Sequence, residues 1–193
     1  YLIDVTSYIL NASFQYYSVP KVEKEAFMLA RIAGWEDLDL IEGQANVYLA
    51  GTYVGQSYIN TRSVADTLDL SFGRDKKIQV TRTKLKENNS EQTAGTTKKV
   101  TYTYEIMVKN NHKSPIQIEV EDQLPISQNS EIVVDVKEIS KADRDEATGK
   151  LKWKLSLAPD ETKKILLSFS IKYPKAKAVE LKKKYRTISA PAF

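Results

Sequence analysis

The sequence predicts an all-β fold of two β-sandwich-like units, the C-terminal one immunoglobulin-like. Two observations support this prediction: short runs in which apolar and polar side chains alternate, and turn residues that close each run. The clearest run, VTYTYEIMV over Val100–Val108, places an apolar or aromatic side chain at every even position. Because successive side chains of a strand point to opposite faces, this run predicts a half-buried strand.

The second half of the chain repeats this pattern at regular intervals. Predicted strands begin at Val100, Ile116, Ile132, Leu151 and Ile165. Between them lie the turn-forming pairs Asn110-Asn111, Leu124-Pro125, Thr148-Gly149 and Ala158-Pro159. Strands and turns at this spacing are typical of an immunoglobulin-like sandwich, in which Trp153 is expected to pack between the two sheets.

The first half of the chain contains shorter predicted strands, at Leu2–Leu10, Phe14–Val19, Val47–Leu49, Tyr53–Ile59 and Leu68–Phe72. Ala50-Gly51 predicts the tight turn of a hairpin. Residues Ala26–Gly34 leave two alternatives open. The helix propensity of Ala, Met and Leu weakly favours a helix, whereas the order of the apolar side chains is also compatible with a strand.

We place the domain boundary at Gly73-Arg74-Asp75, a tripeptide typical of a turn. It separates an N-terminal β domain, residues 1–73, from a sandwich with a basic C-terminal tail, residues 74–193. The polar stretch Glu87–Lys99 is predicted to be a loop of the second domain. The chain begins within an apparent strand and without an initiator Met, so we interpret it as part of a longer protein.

Composition narrows the classes of function. With no Cys among its 193 residues, the chain offers no disulfide, no thiolate nucleophile and no Cys-based metal site. The formal charge of +4 originates after Pro174, where six basic residues accompany one acidic residue. Such a tail is usually solvated, and no nucleic-acid partner is predicted. The longest apolar stretch, interrupted by Arg31, is far shorter than the roughly 20 residues of a membrane helix, so no transmembrane segment is predicted.

His112 is the only histidine, which excludes a multi-histidine metal site. It lies in the segment NNHKSP, where Ser114 is too near along the chain to serve as its nucleophile, so we interpret it as an exposed loop residue. Asp143, Asp145 and Glu146 lack the spacing of a calcium loop and are predicted to form a polar hairpin turn. No metal and no cofactor are expected.

A glycoside hydrolase needs only two carboxylates, and Asp75 and Asp122 are the acidic residues that stand at the ends of predicted strands. Each is followed within three residues by turn-forming or charged residues. A carboxylate in that position commonly accepts backbone N–H bonds within a turn. We therefore interpret both as structural residues and do not expect an enzyme.

A set of tyrosines is the candidate ligand-binding site. Its members are Tyr16, Tyr17, Tyr48, Tyr53 and Tyr58. Exposed aromatic rings commonly stack on sugars or anchor a protein partner, whereas strands also favour Tyr for packing in the core and across strands. The binding hypothesis requires several of these rings to share one exposed surface.

Four phrases resemble the C-terminal domain of the mucoidy-inhibitor A family, a domain without assigned activity: GTYVGQSYI, SFGRDKKIQVTR, VEDQLPIS and TGKLKWKLSLAPDETKK. The resemblance implies that Ala26–Gly51 forms a strand, a loop and a second strand. It also implies an exported protein of the bacterial cell envelope, secreted or periplasmic, and it supplies no catalytic residues.

The resulting hypothesis is a non-catalytic β-sandwich interaction or scaffolding module. Its partner would be an unknown protein or glycan at the cell envelope, and the chain is expected to be a monomer. The alternative is a carbohydrate-binding module for surface polysaccharide, with a carboxylate-dependent glycoside hydrolase ranked below both.

Overall fold

The computed structural model describes residues 6–62, 66–86 and 89–176. Within these residues the chain forms strands and no helix, which confirms the predicted all-β class. The strands are β1 (Ala12–Ser18), β2 (Glu25–Ala33), β3 (Gly43–Leu49), β4 (Thr52–Ile59), β5 (Thr67–Lys84), β6 (Glu91–Ala94), β7 (Thr97–Asn110), β8 (Ile116–Gln123), β9 (Val133–Glu138), β10 (Asp143–Arg144), β11 (Lys150–Leu157) and β12 (Thr162–Pro174).

The described residues divide into two compact units. The first contains residues 6–15, 27–62 and 66–73, and the second contains residues 16–26, 74–86 and 89–176. The larger sheet has the strand order β10-β11-β8-β1-β2-β5-β7-β12-β9, with β6 beside β7. The second unit contains residues from two runs of this order, β10-β11-β8-β1 and β5-β7-β12-β9. Most pairs are antiparallel, but β1 lies parallel to β8.

The core of the second unit is formed by side chains from both runs of strands. Ile118 and Leu151 come from one run, and Ile106, Val108 and Leu167 come from the other; all five are almost completely buried. Alternation explains this arrangement, because every second residue of each strand points to the same side. The unit is therefore sandwich-like, while the immunoglobulin-like assignment stays a prediction.

The first unit contains the β3–β4 hairpin and a small apolar core. Its turn residues Ala50 and Gly51 have φ values of 48° and 80°, the left-handed conformation that the twist of a two-residue hairpin requires. The hairpin predicted from this dipeptide is therefore confirmed. The core consists of Ile32, Trp35 and Leu68, with Leu40, Ile59 and Leu70 packed against them.

Residues 25–33 form strand β2, so the weak helix preference of this segment is wrong and the strand implied by the family resemblance is correct. Ala26, Phe27, Leu29, Ala30 and Ile32 of this strand are all buried. Burial of apolar side chains on both faces outweighs helix propensity, which amounts to less than about 1 kcal/mol per residue.

Two predicted irregular segments are strands. Gly73-Arg74-Asp75 is not a turn but lies inside β5, where Gly73 takes a left-handed φ of 79° without ending the strand. The predicted loop Glu87–Lys99 contains β6, a turn at Gly95 and the start of β7, although residues 87–88 lie outside the described part of the chain. Pairing of β6 with β7 satisfies backbone groups in this polar sequence.

The first predicted strand, Leu2–Leu10, is also incorrect where it can be examined. Residues 6–10 are not in a strand and are exposed, while residues 2–5 lie outside the described range. The basic tail after Pro174 also lies beyond it from residue 177 onward.

Substituting Gly149 by alanine is expected to lower the free energy of unfolding by about 2–4 kcal/mol. Gly149 has a φ of 70°, and an added Cβ would meet the backbone oxygen of Leu124 at 2.7 Å. Gly95 is the matched control, because it has a φ of 54° but open space around an added Cβ. Gly95→Ala should cost only about 1–2 kcal/mol in urea unfolding, and equal losses would contradict the close contact.

Candidate functional site

The β3–β4 hairpin presents a polar and aromatic outer face. Antiparallel pairing places Gln44 opposite Tyr58 and Asn46 opposite Gln56, and a bulge after Val47 then brings Tyr48 opposite Tyr53. The opposite face carries Val47 and Ser57, which are buried. Because side chains alternate along a strand, one face of the hairpin packs against the rest of the unit and the other face is exposed to solvent.

Three of the five candidate tyrosines share this outer face. Tyr48, Tyr53 and Tyr58 keep 59%, 52% and 38% of their surface exposed. The rings of Tyr48 and Tyr53 meet edge to face, with centroids 5.5 Å apart and planes at 62°. This contact restrains two aromatic rings while leaving about half of each accessible.

Between the tyrosine pair and Tyr58 lies a pair of amides. The Gln56 side-chain nitrogen donates to Asn46 Oδ1 over 3.2 Å. At the far end the Tyr58 hydroxyl donates to Glu42 Oε1 over 3.1 Å, and this bond raises the pKa of the exposed phenol. Arg62 pairs with the other oxygen of Glu42 over 2.9 Å. The face therefore combines aromatic surface, hydrogen-bonding amides and one neutralised charge.

Tyr16 and Tyr17 belong to the second unit and are half-buried. The Tyr17 hydroxyl donates to Glu121 Oε2 over 2.9 Å, and burial followed by the charge of Glu121 raises its pKa well above the usual range. Lys152 bridges Glu121 and Glu119 over 2.8 and 3.2 Å. Tyr17 is thus part of a hydrogen-bonded ionic network on β1, β8 and β11.

The Tyr16 hydroxyl lies in a cluster with Asp75 and His112. It donates to Asp75 Oδ2 over 3.0 Å and lies 3.4 Å from His112 Nε2, which is 2.8 Å from the same carboxylate oxygen. Burial and then the charge of Asp75 raise the pKa of Tyr16 to about 12. The interpretation of His112 as an exposed loop residue is wrong, since its side chain is only 20% exposed and packs on the Tyr16 ring.

The two carboxylates considered for hydrolysis have structural partners. Asp75 accepts a backbone N–H bond from Lys77 over 2.9 Å, as predicted, although it does so within a strand. Asp122 is completely buried and accepts from Arg82 Nε over 2.7 Å and from the Gln123 backbone over 2.7 Å. Arg82 in turn lies over the Tyr104 ring, 3.7 Å from its centre.

The predicted polar hairpin turn is confirmed at Asp145 and Glu146, whereas Asp143 lies in strand β10 and pairs with Lys152. Asp145 accepts hydrogen bonds from the Ala147 backbone and from the Thr148 hydroxyl, and the bonds with Thr148 lower the pKa of this exposed carboxyl. Next to this turn lies an open groove of about 670 Å³ between residues 124–136 and 144–149. Among the described residues that line this groove, Glu146 carries the one carboxylate.

Two other features are absent within residues 6–62, 66–86 and 89–176. No group of three or more His, Cys, Asp or Glu side chains is placed to hold a metal ion there. Nor does that part of the chain contain a helix with the length and apolar character needed to cross a membrane.

Comparison with known proteins gives a nematode relative and a family match. It is 22% identical over 200 residues to Protein F37C4.5 of Caenorhabditis elegans, covering 96% of this chain and 36% of the nematode protein. The chain thus spans about a third of the length of this relative. Residues 6–175 match the family described as a domain of unknown function, DUF4139. Since this match covers most of the sequence, the chain belongs to the DUF4139 family.

Proposed function

We propose that the chain is a non-catalytic interaction module that binds its partner through the outer face of the β3–β4 hairpin. The observation that carries the proposal is the joint exposure of Tyr48, Tyr53 and Tyr58 on that face. Tyrosines supply a large, amphipathic contact surface and lose little conformational entropy on binding. The partner that binds this face would be a protein or a glycan.

The binding role is supported by the structural partners of the two carboxylates considered for hydrolysis. Asp122 forms an ion pair with Arg82, and Asp75 belongs to a hydrogen-bonded cluster with Tyr16 and His112. We extend the proposal to a monomeric module of an exported bacterial cell-envelope protein related to mucoidy-inhibitor A. This location and relationship are supported by the four sequence segments that resemble the C-terminal domain of that family.

Site-specific photocrosslinking tests this proposal in the full-length protein within its native cells. A benzoylphenylalanine at position 53 should form one reproducible adduct, and the same probe at exposed Lys154 on β11 should not form it. Adding Tyr48→Ala to the position-53 probe should reduce the adduct at least about tenfold, since a central aromatic anchor commonly contributes 2 kcal/mol or more. Equal adducts at positions 53 and 154 would remove the hairpin as the binding surface.

A carbohydrate-binding role is the second candidate, because the Asn46–Gln56 amide pair lies between aromatic side chains on the same face. Rings can stack on the apolar faces of sugars while amides bond their hydroxyl groups. A glycan array probed with the chain and with Tyr48→Ala/Tyr53→Ala distinguishes the two candidates. Binding to a glycan that the double variant loses supports this role, and an array without binding eliminates it.

A further inference from the structure

We infer that Tyr16, Asp75 and His112 form a binding site for a first-row divalent cation, with zinc as the best match. Their three ligand atoms are Tyr16 Oη, Asp75 Oδ2 and His112 Nε2, and each lies within 3.4 Å of the other two. This inference is independent of the proposed binding face, since it concerns the second unit.

Asp75 Oδ2 is the shared partner of the cluster. It accepts from the Tyr16 hydroxyl over 3.0 Å and lies 2.8 Å from His112 Nε2. Tyr16 Oη and His112 Nε2 in turn lie 3.4 Å apart. A divalent cation that contacts this carboxylate oxygen would therefore be within reach of all three atoms.

The triangle of ligand atoms has suitable dimensions for zinc. Its sides are 2.8, 3.0 and 3.4 Å, and ligand atoms of a tetrahedral zinc site are about 3.4 Å apart for metal–ligand bonds of about 2.1 Å. A cation about 2.1 Å from all three atoms would lie roughly 1 Å outside their plane. The adjustment required is thus a few tenths of an ångström per side chain.

The surrounding residues hold two of the ligands in position. Asp75 Oδ1 accepts from the Lys77 backbone over 2.9 Å, which leaves Oδ2 directed at the cluster. The His112 backbone donates to Asn110 Oδ1 over 2.9 Å, and Asn110 is completely buried. The Asp75 and His112 side chains remain 19% and 20% exposed, which allows solvent to supply a fourth ligand. His nitrogen and Asp oxygen are both ligands that zinc binds in proteins, and water can complete the set.

Calorimetric titration of zinc chloride into the full chain, prepared without a histidine tag, tests the inference. We expect one zinc per chain, and at least about 100-fold weaker binding in His112→Ala and Asp75→Asn, because lost ligands cost more than the 10–100-fold of supporting residues. Asp160→Asn is the matched control, since Asp160 is an exposed partner of Lys113 and should bind zinc as the unmodified chain does. Absence of saturable binding would overturn the inference, as would equal affinity in His112→Ala.

A second measurement does not depend on how well the variants fold. Because His112 is the only histidine, its ring signals in an NMR spectrum of the unmodified chain have one possible assignment. Stoichiometric zinc should move these signals to new positions. Unchanged ring signals at saturating zinc would show that any bound metal lies elsewhere and would contradict the site.

Discussion

Substituting Asp122 by alanine is expected to lower the free energy of unfolding by about 3–5 kcal/mol. The Asp122 side chain is 0% exposed and that of Arg82 is 16% exposed, and they are joined over 2.7 Å. The pair connects β8 with β5, which belong to different runs of strands in the second unit. Removing the carboxylate leaves the guanidinium without its anion in a largely dry environment, so the loss greatly exceeds that of a surface ion pair.

Urea unfolding of Asp122→Ala and of a matched surface variant measures this effect. Lys113→Met breaks the pair of Lys113 with Asp160, in which both side chains are mainly exposed, and should cost less than about 1 kcal/mol. Arg82→Met should resemble Asp122→Ala, because it leaves the buried carboxylate unpaired. A loss below about 1 kcal/mol in both members of the buried pair would contradict their role in joining the strands.

Substituting Trp153 by alanine should cost a similar amount, about 3–5 kcal/mol. Trp153 is 3% exposed, lies opposite Val120 of β8, and donates from Nε1 to the Ile139 backbone oxygen over 2.8 Å. Alanine would remove the buried indole and leave a cavity, and it would also leave the Ile139 carbonyl without this donor. Both losses fall on the core of the second unit.

Trp153→Phe separates the two contributions in the same unfolding experiment. Phenylalanine retains much of the apolar surface and removes the indole donor, so a loss of about 1–3 kcal/mol is expected. Tyr53→Ala is the surface control, since an exposed ring contributes little to stability. If Trp153→Ala were no more destabilising than Tyr53→Ala, Trp153 would not be the core anchor that the sequence predicts.

The sequence was informative where a local pattern decides the structure. Alternation predicted β7, β8, β11 and β12, and Ala50-Gly51 predicted the hairpin turn, because both depend on residues close together in the chain. The sequence-based prediction was wrong at Gly73–Asp75, because these turn-forming residues lie inside strand β5. There the Gly73 N–H donates to Ser71 Oγ over 3.2 Å and the strand continues, which local propensity does not predict.

The sites could not be predicted in the same way, because they join distant residues. Tyr16 lies 59 positions from Asp75 and 96 from His112. No local signal marks such a cluster, so residue types alone gave no reason to expect a cation site or a partly buried His112. The exposure of Tyr48, Tyr53 and Tyr58 depends on which hairpin face is buried. The pairing of Gln44 with Tyr58 and the bulge after Val47 decide this, and neither is evident from residue types.

The most direct test of the central claim is the stability of Tyr48→Ala/Tyr53→Ala, the variant expected to lose binding. Exposed rings reserved for a partner should contribute little to folding, so its free energy of unfolding in urea should lie within about 1 kcal/mol of the unmodified chain. A loss of more than about 3 kcal/mol, the size expected for truncated core aromatics, would show that these rings hold the first unit together and would contradict a binding role.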